Sequence, residues 1–453
     1  MGLARLRMLW HALGVMALMV PGVAEEPGGV PEKFREPLTA EVKALETLRD
    51  KAVALGLTEE TSKLNKLLEF RGRTSEPRSV KLPEDPVALE KLREGFPKDM
   101  ERIFKERAEK WGALGQGLAK EYPALAVEAW RASLDLDPEN KRARKALGQE
   151  WSKETSSWVP QDDILRSQGK VLFRGAWVEA AKMQKVRDAE LEKFKAGFHV
   201  QHNCPDDGHW RFAALLDFNL AVHGSEDDLK RFVEMMRSIH EKVYSRYFPK
   251  VQVTAFTVVI HATEKEYMEI AKGREGTGGY YVDGIHTLKT HLEAPGFAIF
   301  HEMGHGFIRT NNIKGDTSRL PAWFDESVAT FFETFDAQKG TLGTPVGMRV
   351  GNLSTMRSGG KIIPLEQFLK LDKFPSVDMY DEGHALVLFL YSRGVLKAFI
   401  DRCLAGHCEV AELESLMGMP LSAIEAALGT FVDALPKMAM VEPGSYLLNV
   451  GSP

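Results

Sequence analysis

Cysteine is scarce in this chain, which has only three among 453 residues. A chain of this length can bury enough surface to fold without a framework of disulfide bonds. Cys403 and Cys408 are close enough in sequence to close a small disulfide loop, which leaves Cys204 as the odd cysteine. The scarcity also disfavours a structural zinc domain, because such sites usually close with four ligands that are often cysteines.

Blocks of like charge and long apolar segments are also missing. The formal net charge is −5 with 27% charged residues, and no run of one sign is long enough to form an interaction tail. Nucleic acid and anionic membrane surfaces are therefore poor candidates as partners. Beyond residue 24, no segment is long and apolar enough to predict a membrane span. The 44% hydrophobic content is sufficient for two or three ordinary cores.

The amino terminus has the pattern of a cleavable signal peptide over residues 1–24. Arginines precede an apolar run at residues 8–20, and Gly22 and Ala24 occupy the small-residue positions of a cleavage site. The alternative is an uncleaved membrane anchor, but the run is shorter than the roughly 20 residues that a span needs and it contains His11. We therefore expect export to an oxidising compartment, with the protein secreted or periplasmic.

The rest of the chain divides by composition and periodicity. Residues 25–37 are rich in proline, glycine and acids and are predicted to be flexible, whereas residues 38–155 show helical apolar spacing. Residues 156–198 contain two Trp-Val pairs, at 158–159 and 177–178, which predict short strands in a connecting motif before a charged helix. Residues 199–437 are predicted to form the functional domain, and residues 438–453 a tail.

The helical region contains one segment that resembles a tetratricopeptide repeat. The residues that carry the resemblance are Trp111, Leu114, Gly115, Ala126, Trp130 and Pro138. Large tryptophans and small glycines or alanines alternate because paired helices must interlock, and one repeat cannot bury its faces without neighbours. The resemblance allows two readings, a groove that binds a protein partner or a helical spacer, and with a single clear repeat we favour the spacer.

Strand patterns recur within the functional domain. β-branched and aromatic residues predict strands near residues 212–222, 251–260 and 281–288. Ser225 and Asp228 have the spacing of a capping box that begins a helix with a regular apolar stripe. Together with the helical region, these patterns predict an α+β protein that is mostly helical.

The most informative feature is the run His301-Glu302-Met303-Gly304-His305. Two histidines four apart on a helix lie on one face, so both imidazoles can reach a single cation. Glu302 is rotated one step away from the histidines, which suits it to deprotonate a water molecule rather than to bind the metal. Apolar neighbours predict that this helix is buried, with Pro295 in its first turn.

A catalytic zinc site needs a third protein ligand and an open fourth position. Glu326 supplies that ligand if its helix packs back against the histidine helix. Asp325 and Glu333 are candidates to hydrogen-bond the ligand imidazoles. Without such convergence, His301 and His305 are ordinary core histidines and Glu302 and Glu326 lie on solvated faces.

At these residues the chain resembles the gluzincin metallopeptidases, whose third zinc ligand is a glutamate on a following helix. The segment Trp323-Phe324-Asp325-Glu326-Ser327-Val328-Ala329 is similar to the W-L-x-E-G-x-A pattern of peptidase-MA-like and DUF1570-type bacterial proteins, with Ser327 in place of glycine. The resemblance implies a small mixed sheet, zinc on His301, His305 and Glu326, and Glu302 as general base. It also implies that a strand at residues 281–288 binds an extended peptide along its free edge.

Other zinc peptidase classes fit less well. A metzincin would have glycine and histidine three and six residues after His305, where this chain has Ile308 and Asn311. The G-x-M-E-N stretch of gluzincin aminopeptidases is also missing from the sequence. A second metal site from His199, His202, Cys204 and His209 matches no standard ligand spacing.

The candidate oxyanion donors are Tyr380 and His384, four apart at the start of a later apolar helix. The leading function is a secreted, zinc-dependent peptidase that acts on a peptide or protein substrate. The alternatives are a non-catalytic scaffold that binds a protein through the repeat-like helices, and a structural zinc domain. The intact Glu302 argues against the scaffold, because a site without turnover needs no base.

Overall fold

The computed structural model describes residues 32–70, 76–248, 256–270, 278–311, 320–336 and 341–437. Within these ranges the protein is mixed α+β and mostly helical, as the sequence predicts. The predicted signal peptide and carboxyl-terminal tail lie outside the described residues. The described residues form two units, the first comprising those within 32–161, 392–395 and 410–434 and the second the remaining described residues.

The first unit is built from helices and one hairpin. Their bounds are α1 Glu32–Ala54, α2 Thr58–Phe70, α3 Pro86–Leu118, α4 Pro123–Leu136, α5 Lys141–Ala146, β1 Gln149–Ser152 and β2 Ser157–Pro160. Asp85 caps α3 by accepting hydrogen bonds from the N–H groups of Val87 and Ala88. Helix α1 begins at Glu32, inside the segment predicted to be flexible, and Phe34 is buried there.

The repeat-like residues interlock in the first unit. A Cβ atom built on Gly115 of α3 would lie 2.4 Å from Nε1 of Trp130 on α4, so only glycine fits at this crossing. The carboxyl-terminal helices α16 (Val410–Met417) and α17 (Leu421–Ala434) belong to this same unit, and α16 packs against α4. The structure thus groups these helices with the first unit, whereas the sequence pattern assigned them to the domain at residues 199–437.

The second unit begins with a helix, a hairpin and a long helix. Their bounds are α6 Gln161–Ser167, β3 Lys170–Phe173, β4 Ala176–Glu179 and α7 Ala180–His202. Strands β2 and β4 contain the two predicted Trp-Val pairs, and each pairs antiparallel with the strand before it. The connecting motif thus consists of strands followed by a charged helix, as predicted.

A five-stranded mixed sheet forms the core of the second unit. Its strands are β5 Trp210–Leu215, β6 Phe218–His223, β7 Phe256–His261, β8 Gly279–Val282 and β9 Thr287–His291, in the order β5-β6-β7-β9-β8. The β6-β7 and β7-β9 pairs are parallel, and the two outer pairs are antiparallel. The stretch at residues 212–222 is therefore two strands, turning at Leu216 with φ 47°, and not the single strand predicted.

The edge strand next to the candidate site is β8, not the whole stretch at residues 281–288. That stretch contains the end of β8, a 3-10 turn at Asp283–Ile285 and the beginning of β9, which lies inside the sheet. A pattern of alternating residues does not distinguish one strand from two short ones joined by a tight turn. Of the predicted stretch, only the part within β8 lies in the outermost strand of the sheet as the structure describes it.

Two further helices connect the strands of this sheet. Helix α8 (Glu226–Ile239) begins with the predicted capping box, and it continues through a π-helical turn at His240–Tyr244 and a last turn at Ser245–Tyr247. Helix α9 is Glu264–Ile270. In the capping box the N–H of Asp228 donates to Ser225 Oγ at 3.1 Å, and the N–H of Ser225 donates to an oxygen of Asp228 at 2.9 Å.

The histidine helix α10 (Gly296–Thr310) packs on one face of the sheet. The Phe307 ring lies 6.1 Å from the ring of Phe256 on β7 and 6.2 Å from that of Phe218 on β6. Gly306 faces Phe256 so closely that a Cβ atom on it would lie 2.4 Å from the ring. Pro295 is the residue before the helix and not in its first turn, a difference of one residue from the prediction.

Helix α11 (Ala322–Phe332) packs directly on α10. A Cβ atom on Gly304 would lie 2.6 Å from the Cα atom of Ala329, so the two backbones approach as closely as a glycine allows.

The remaining helices of the second unit are α12 Gly347–Ser358, α13 Leu365–Phe368, α14 Asp378–Ser392 and α15 Leu396–Leu404. The structure joins Cys403 to Cys408 in a disulfide and leaves Cys204 as a buried thiol.

In the described ranges, no helix by itself is long and apolar enough to span a membrane. Two bent pairs, α14 with α15 and α16 with α17, pass the same length and composition test when each pair is taken together.

Replacing Gly304 with alanine should destabilise the protein by about 1–3 kcal/mol, since the added methyl group must push α11 away from α10. The melting temperature of the Gly304→Ala variant would show this. Gly351→Ala is the matched control, because Gly351 is also helical and a Cβ atom there has nothing within 4 Å. It should be neutral or stabilising by up to about 1 kcal/mol; an equal loss of stability in both variants would contradict the packing argument.

Candidate metal centre

Three side chains converge between α10 and α11. The nearest ligand atoms of His301, His305 and Glu326 all lie within 4.8 Å of one another. Glu326 Oε2 is 3.4 Å from Nε2 of His301 and 3.4 Å from Nε2 of His305. The three side chains are 14%, 11% and 26% exposed, so the point between them is partly accessible from solvent. The structure therefore brings together the three residues that the sequence predicts as ligands.

The Nδ1 atom of each imidazole lies next to a carboxylate. Nδ1 of His301 donates a hydrogen bond to Glu333 Oε1 at 2.9 Å, and Nδ1 of His305 lies 3.0 Å from Asp325 Oδ1. A proton held on Nδ1 leaves the Nε2 lone pair free to bind a cation, which is the usual role of such carboxylates. Glu333 thus makes the hydrogen bond that the sequence suggested for it, whereas Asp325 lies at ion-pair distance from His305.

Each of these carboxylates also contacts an arginine that the sequence analysis missed. Arg349 on α12 binds Glu333 through two nitrogens at 2.6 Å each, and Arg309 Nη2 donates to Asp325 Oδ2 at 2.8 Å. The sequence does contain a signal for Arg349, because it falls on a helical stripe of buried apolar residues. That stripe is Val346, Val350, Leu353 and Met356. A charge on such a stripe indicates a buried partner.

Neighbouring charges shift the pKa values of His301, His305 and Glu326 toward their ionised forms. Burial opposes ionisation of Glu326, but the adjacent His301 and His305 hold the pKa of this carboxyl well below its usual range. Burial likewise disfavours charged imidazoles, but Glu326 and Glu333 raise the pKa of His301, and Asp325 and Glu326 raise that of His305. A cation at this point would replace the protons that these imidazoles otherwise hold.

Glu302 lies beside this cluster and under the edge strand β8. A Cβ atom on Gly279 of β8 would lie 3.4 Å from Glu302 Cγ, so the strand passes close to the carboxylate. Burial raises the pKa of Glu302, although His305, His301 and the backbone N–H of Tyr281 oppose the shift. A carboxylate with a raised pKa is a stronger proton acceptor than an exposed glutamate.

Tyr380 also lies close to the cluster. Its ring centre is 5.9 Å from that of His301, and its hydroxyl interacts with the Glu326 carboxylate. Burial, together with the negative charges of Glu326 and Glu302, raises the pKa of Tyr380 to about 12. The phenol therefore stays protonated at neutral pH and can donate a hydrogen bond beside the cluster.

His384, the other predicted oxyanion donor, is buried and hydrogen-bonded to the backbone. Its side chain is 1% exposed, and its Nε2 accepts a hydrogen bond from the N–H of Val346 at 3.4 Å. Burial lowers the pKa of His384 to about 3, so the ring is neutral. Tyr380 and His384 are four apart on a helix, and the helix buries the second residue against α12, which spacing alone does not reveal.

Ser327 stands where the similar pattern has glycine, and the structure accommodates it. Ser327 is fully buried, and the residue that faces it on α14 is Gly383. A Cβ atom on Gly383 would lie 2.3 Å from Ser327 Oγ. The glycine on α14 thus provides the room that the Ser327 side chain on α11 needs.

Two nitrogens and one oxygen at this spacing fit a divalent metal ion such as zinc. Glu326 Oε2 is buried and makes no hydrogen bond with the described residues, although it faces both imidazoles. A cation would satisfy this atom and both Nε2 lone pairs together. The types of donor atom and the Glu326 oxygen that lacks a hydrogen bond therefore both fit a bound divalent cation.

Within the described ranges, His301, His305 and Glu326 are the one group of three or more residues with such spacing. The suggested second set of His199, His202, Cys204 and His209 is not brought together in this way. His199 Nδ1 faces the Cys204 carbonyl at 3.3 Å, whereas His202 is buried. Burial lowers the pKa of His202 to about 4 and raises that of Cys204 to about 12, so both groups are neutral.

Comparison with known proteins adds no assignment: no family model matches the chain, and no curated protein matches it either. We therefore infer function from the geometry of the site.

Glu382, two residues after Tyr380 on α14, should make stability depend on pH. Burial raises its pKa from 4.5 to about 7, so between these values the folded protein binds more protons than the unfolded chain. Stability should fall as pH rises through this window. Glu382→Gln keeps the oxygen that accepts the Ile363 N–H and should be more stable than the parent protein by about 1–3 kcal/mol at pH 8.

Denaturant unfolding of both proteins at pH 4 and pH 8 measures this difference. At pH 4 the two should have nearly equal stability, since the carboxyl is protonated in either state. A Glu382→Gln variant that is less stable than the parent at pH 8 would show that the ionised carboxylate has a favourable partner in the fold.

Proposed function

We propose that this protein is a zinc-dependent peptidase of the gluzincin type that acts after export from the cytoplasm. The observation that carries the proposal is the convergence of His301, His305 and Glu326 on one point, with Glu302 beside it. Three protein ligands with an open side are typical of catalytic zinc sites, whereas structural sites usually close with four. The export part of the proposal rests on the signal-peptide pattern in the sequence.

The chain's own residues have distinct roles in hydrolysis. A zinc ion held there would supply Lewis-acid chemistry, which polarises a carbonyl and lowers the pKa of a water molecule toward about 7. Glu302 takes a proton from the attacking water and passes it to the leaving nitrogen of the peptide bond. The raised pKa of Glu302 suits both steps, because the same carboxyl must accept the proton and then release it.

Tyr380 and strand β8 orient the substrate. Once Glu326 binds a cation, the protonated hydroxyl of Tyr380, which here interacts with that carboxylate, would donate a hydrogen bond to the oxygen that gains negative charge during attack. Among the described residues β8 is the last strand of the sheet, and we expect an extended peptide backbone to lie along it. Gly279 brings this edge close to Glu302, which would place a bound peptide next to the base.

Glu302→Gln should retain zinc and lose peptidase turnover, since the amide cannot accept the proton but keeps the size of the side chain. Zinc content by elemental analysis and cleavage of a peptide library measure the two properties. A chelator should abolish turnover of the parent protein, and added zinc should restore it. Unchanged turnover in the variant would refute the role of Glu302, and a parent protein that binds zinc without turnover would favour the non-catalytic scaffold.

Tyr380→Phe should lower kcat by about 100- to 1,000-fold, the usual effect of removing one oxyanion donor. The change should leave KM and zinc content nearly unaltered, because only the hydroxyl is lost. His384→Gln serves as the comparison, since His384 faces the backbone of Val346 and should affect stability more than kcat. If His384→Gln lowers kcat at full stability whereas Tyr380→Phe does not, the two roles are reversed.

A further inference from the structure

Arg349 joins two buried carboxylates that lie on different helices. Its Nε and Nη2 bind the two oxygens of Glu333 at 2.6 Å each, and its Nη1 binds Asp381 Oδ1 at 3.0 Å. All three side chains are nearly buried, with exposures of 9% for Arg349, 2% for Glu333 and 1% for Asp381. Ion pairs at this depth are screened weakly by solvent, so each partner strongly affects the position of the others.

On one side, the arginine fixes the group that orients His301. Glu333 Oε1 accepts hydrogen bonds from both Arg349 Nη2 and His301 Nδ1. The two-pronged contact of a guanidinium with a carboxylate sets the plane of the carboxylate as well as its position. The plane of Glu333 in turn sets the direction in which Nε2 of His301 points.

On the other side, the arginine contacts the first turns of α14, which contain Tyr380. Asp381 is the residue after Tyr380, and the Arg349 guanidinium lies 5.8 Å from the centre of the Tyr380 ring. This contact holds the start of α14 against α12. The position of the tyrosine hydroxyl and the direction of the His301 ring therefore depend on one side chain.

We propose that Arg349 is a positioning residue that couples metal binding at His301 to the placement of Tyr380. The inference rests on the proposed function, since it assumes that His301 binds a metal and that Tyr380 acts on the substrate. Without Arg349, Glu333 and Asp381 lose their shared cation, and neither carboxylate keeps its orientation. The result is a weaker metal site and a displaced tyrosine in the same variant.

The test measures zinc affinity by competition with a chromogenic chelator, together with kcat and KM. Arg349→Met should raise the zinc dissociation constant by about 10- to 100-fold, the usual effect of losing an interaction behind a metal ligand. At saturating zinc it should also lower kcat more than it raises KM. Arg349→Lys keeps the positive charge but cannot bind Glu333 through two nitrogens at once. It should therefore recover only part of the zinc affinity and of kcat.

Asp381→Asn and Arg187→Met complete the design. Asp381 contacts none of the three candidate ligands, yet Asp381→Asn should weaken zinc binding in the same direction because it loosens Arg349. If Arg349→Met does not fold, Asp381→Asn provides the test of the coupling. Arg187 is another fully buried arginine of the second unit, paired with Glu190, and Arg187→Met should reduce stability without changing zinc affinity.

The possible outcomes separate the two proposals. Folded Arg349 and Asp381 variants with the zinc affinity of the parent would overturn the coupling while leaving the metal site intact. A loss of zinc affinity in Arg187→Met equal to that in Arg349→Met would also overturn it, since the effect would then follow general stability. A parent protein that binds no zinc at all would instead refute the proposed function itself.

Discussion

The close contact between α10 and α11 is the constraint on which the rest of the site depends. Gly304 allows the backbone at Ala329 to approach, and that approach brings the Glu326 carboxylate to 3.4 Å from both imidazole Nε2 atoms. Any larger side chain at this crossing would move the carboxylate away from the histidines. The sheet supports the same arrangement, because Gly306 fits α10 against Phe256 and strand β8 runs over Glu302. Glycines at helix crossings thus determine the spacing of the charged groups.

Alternating charges then stabilise that arrangement. From Glu326 the contacts lead through the two imidazoles to Asp325 and Glu333 and then to Arg309 and Arg349. Each buried anion is therefore next to a cation or to an imidazole that can donate a proton. Removing one partner from such a network leaves a buried charge without compensation, which is more damaging than the loss of a single exposed ion pair. The same alternation explains why Tyr380, beside two carboxylates, remains a protonated donor.

Several elements could be predicted from the sequence, and several could not. The capping box at Ser225, the two Trp-Val strands and the helix spacing of His301 and His305 follow from residues close together in the chain. The edge position of β8 depends on which strand pairs with β9, and sequence alternation does not encode that choice. The membership of α16 and α17 in the first unit depends on contacts across most of the chain. The burial of His384 depends on α12, which local spacing does not describe.

The sequence by itself determined which groups are available and which of them share a helical face, because those properties follow from side-chain chemistry and the helical repeat. It placed His301, Glu302 and His305 in fixed relation before any tertiary contact was considered. Only the tertiary structure decided that Glu326 meets both imidazoles, that Tyr380 faces them while His384 does not, and that Arg349 links the two sides. These relations depend on how separate helices dock, and docking is set by the summed packing of many distant side chains rather than by any local pattern.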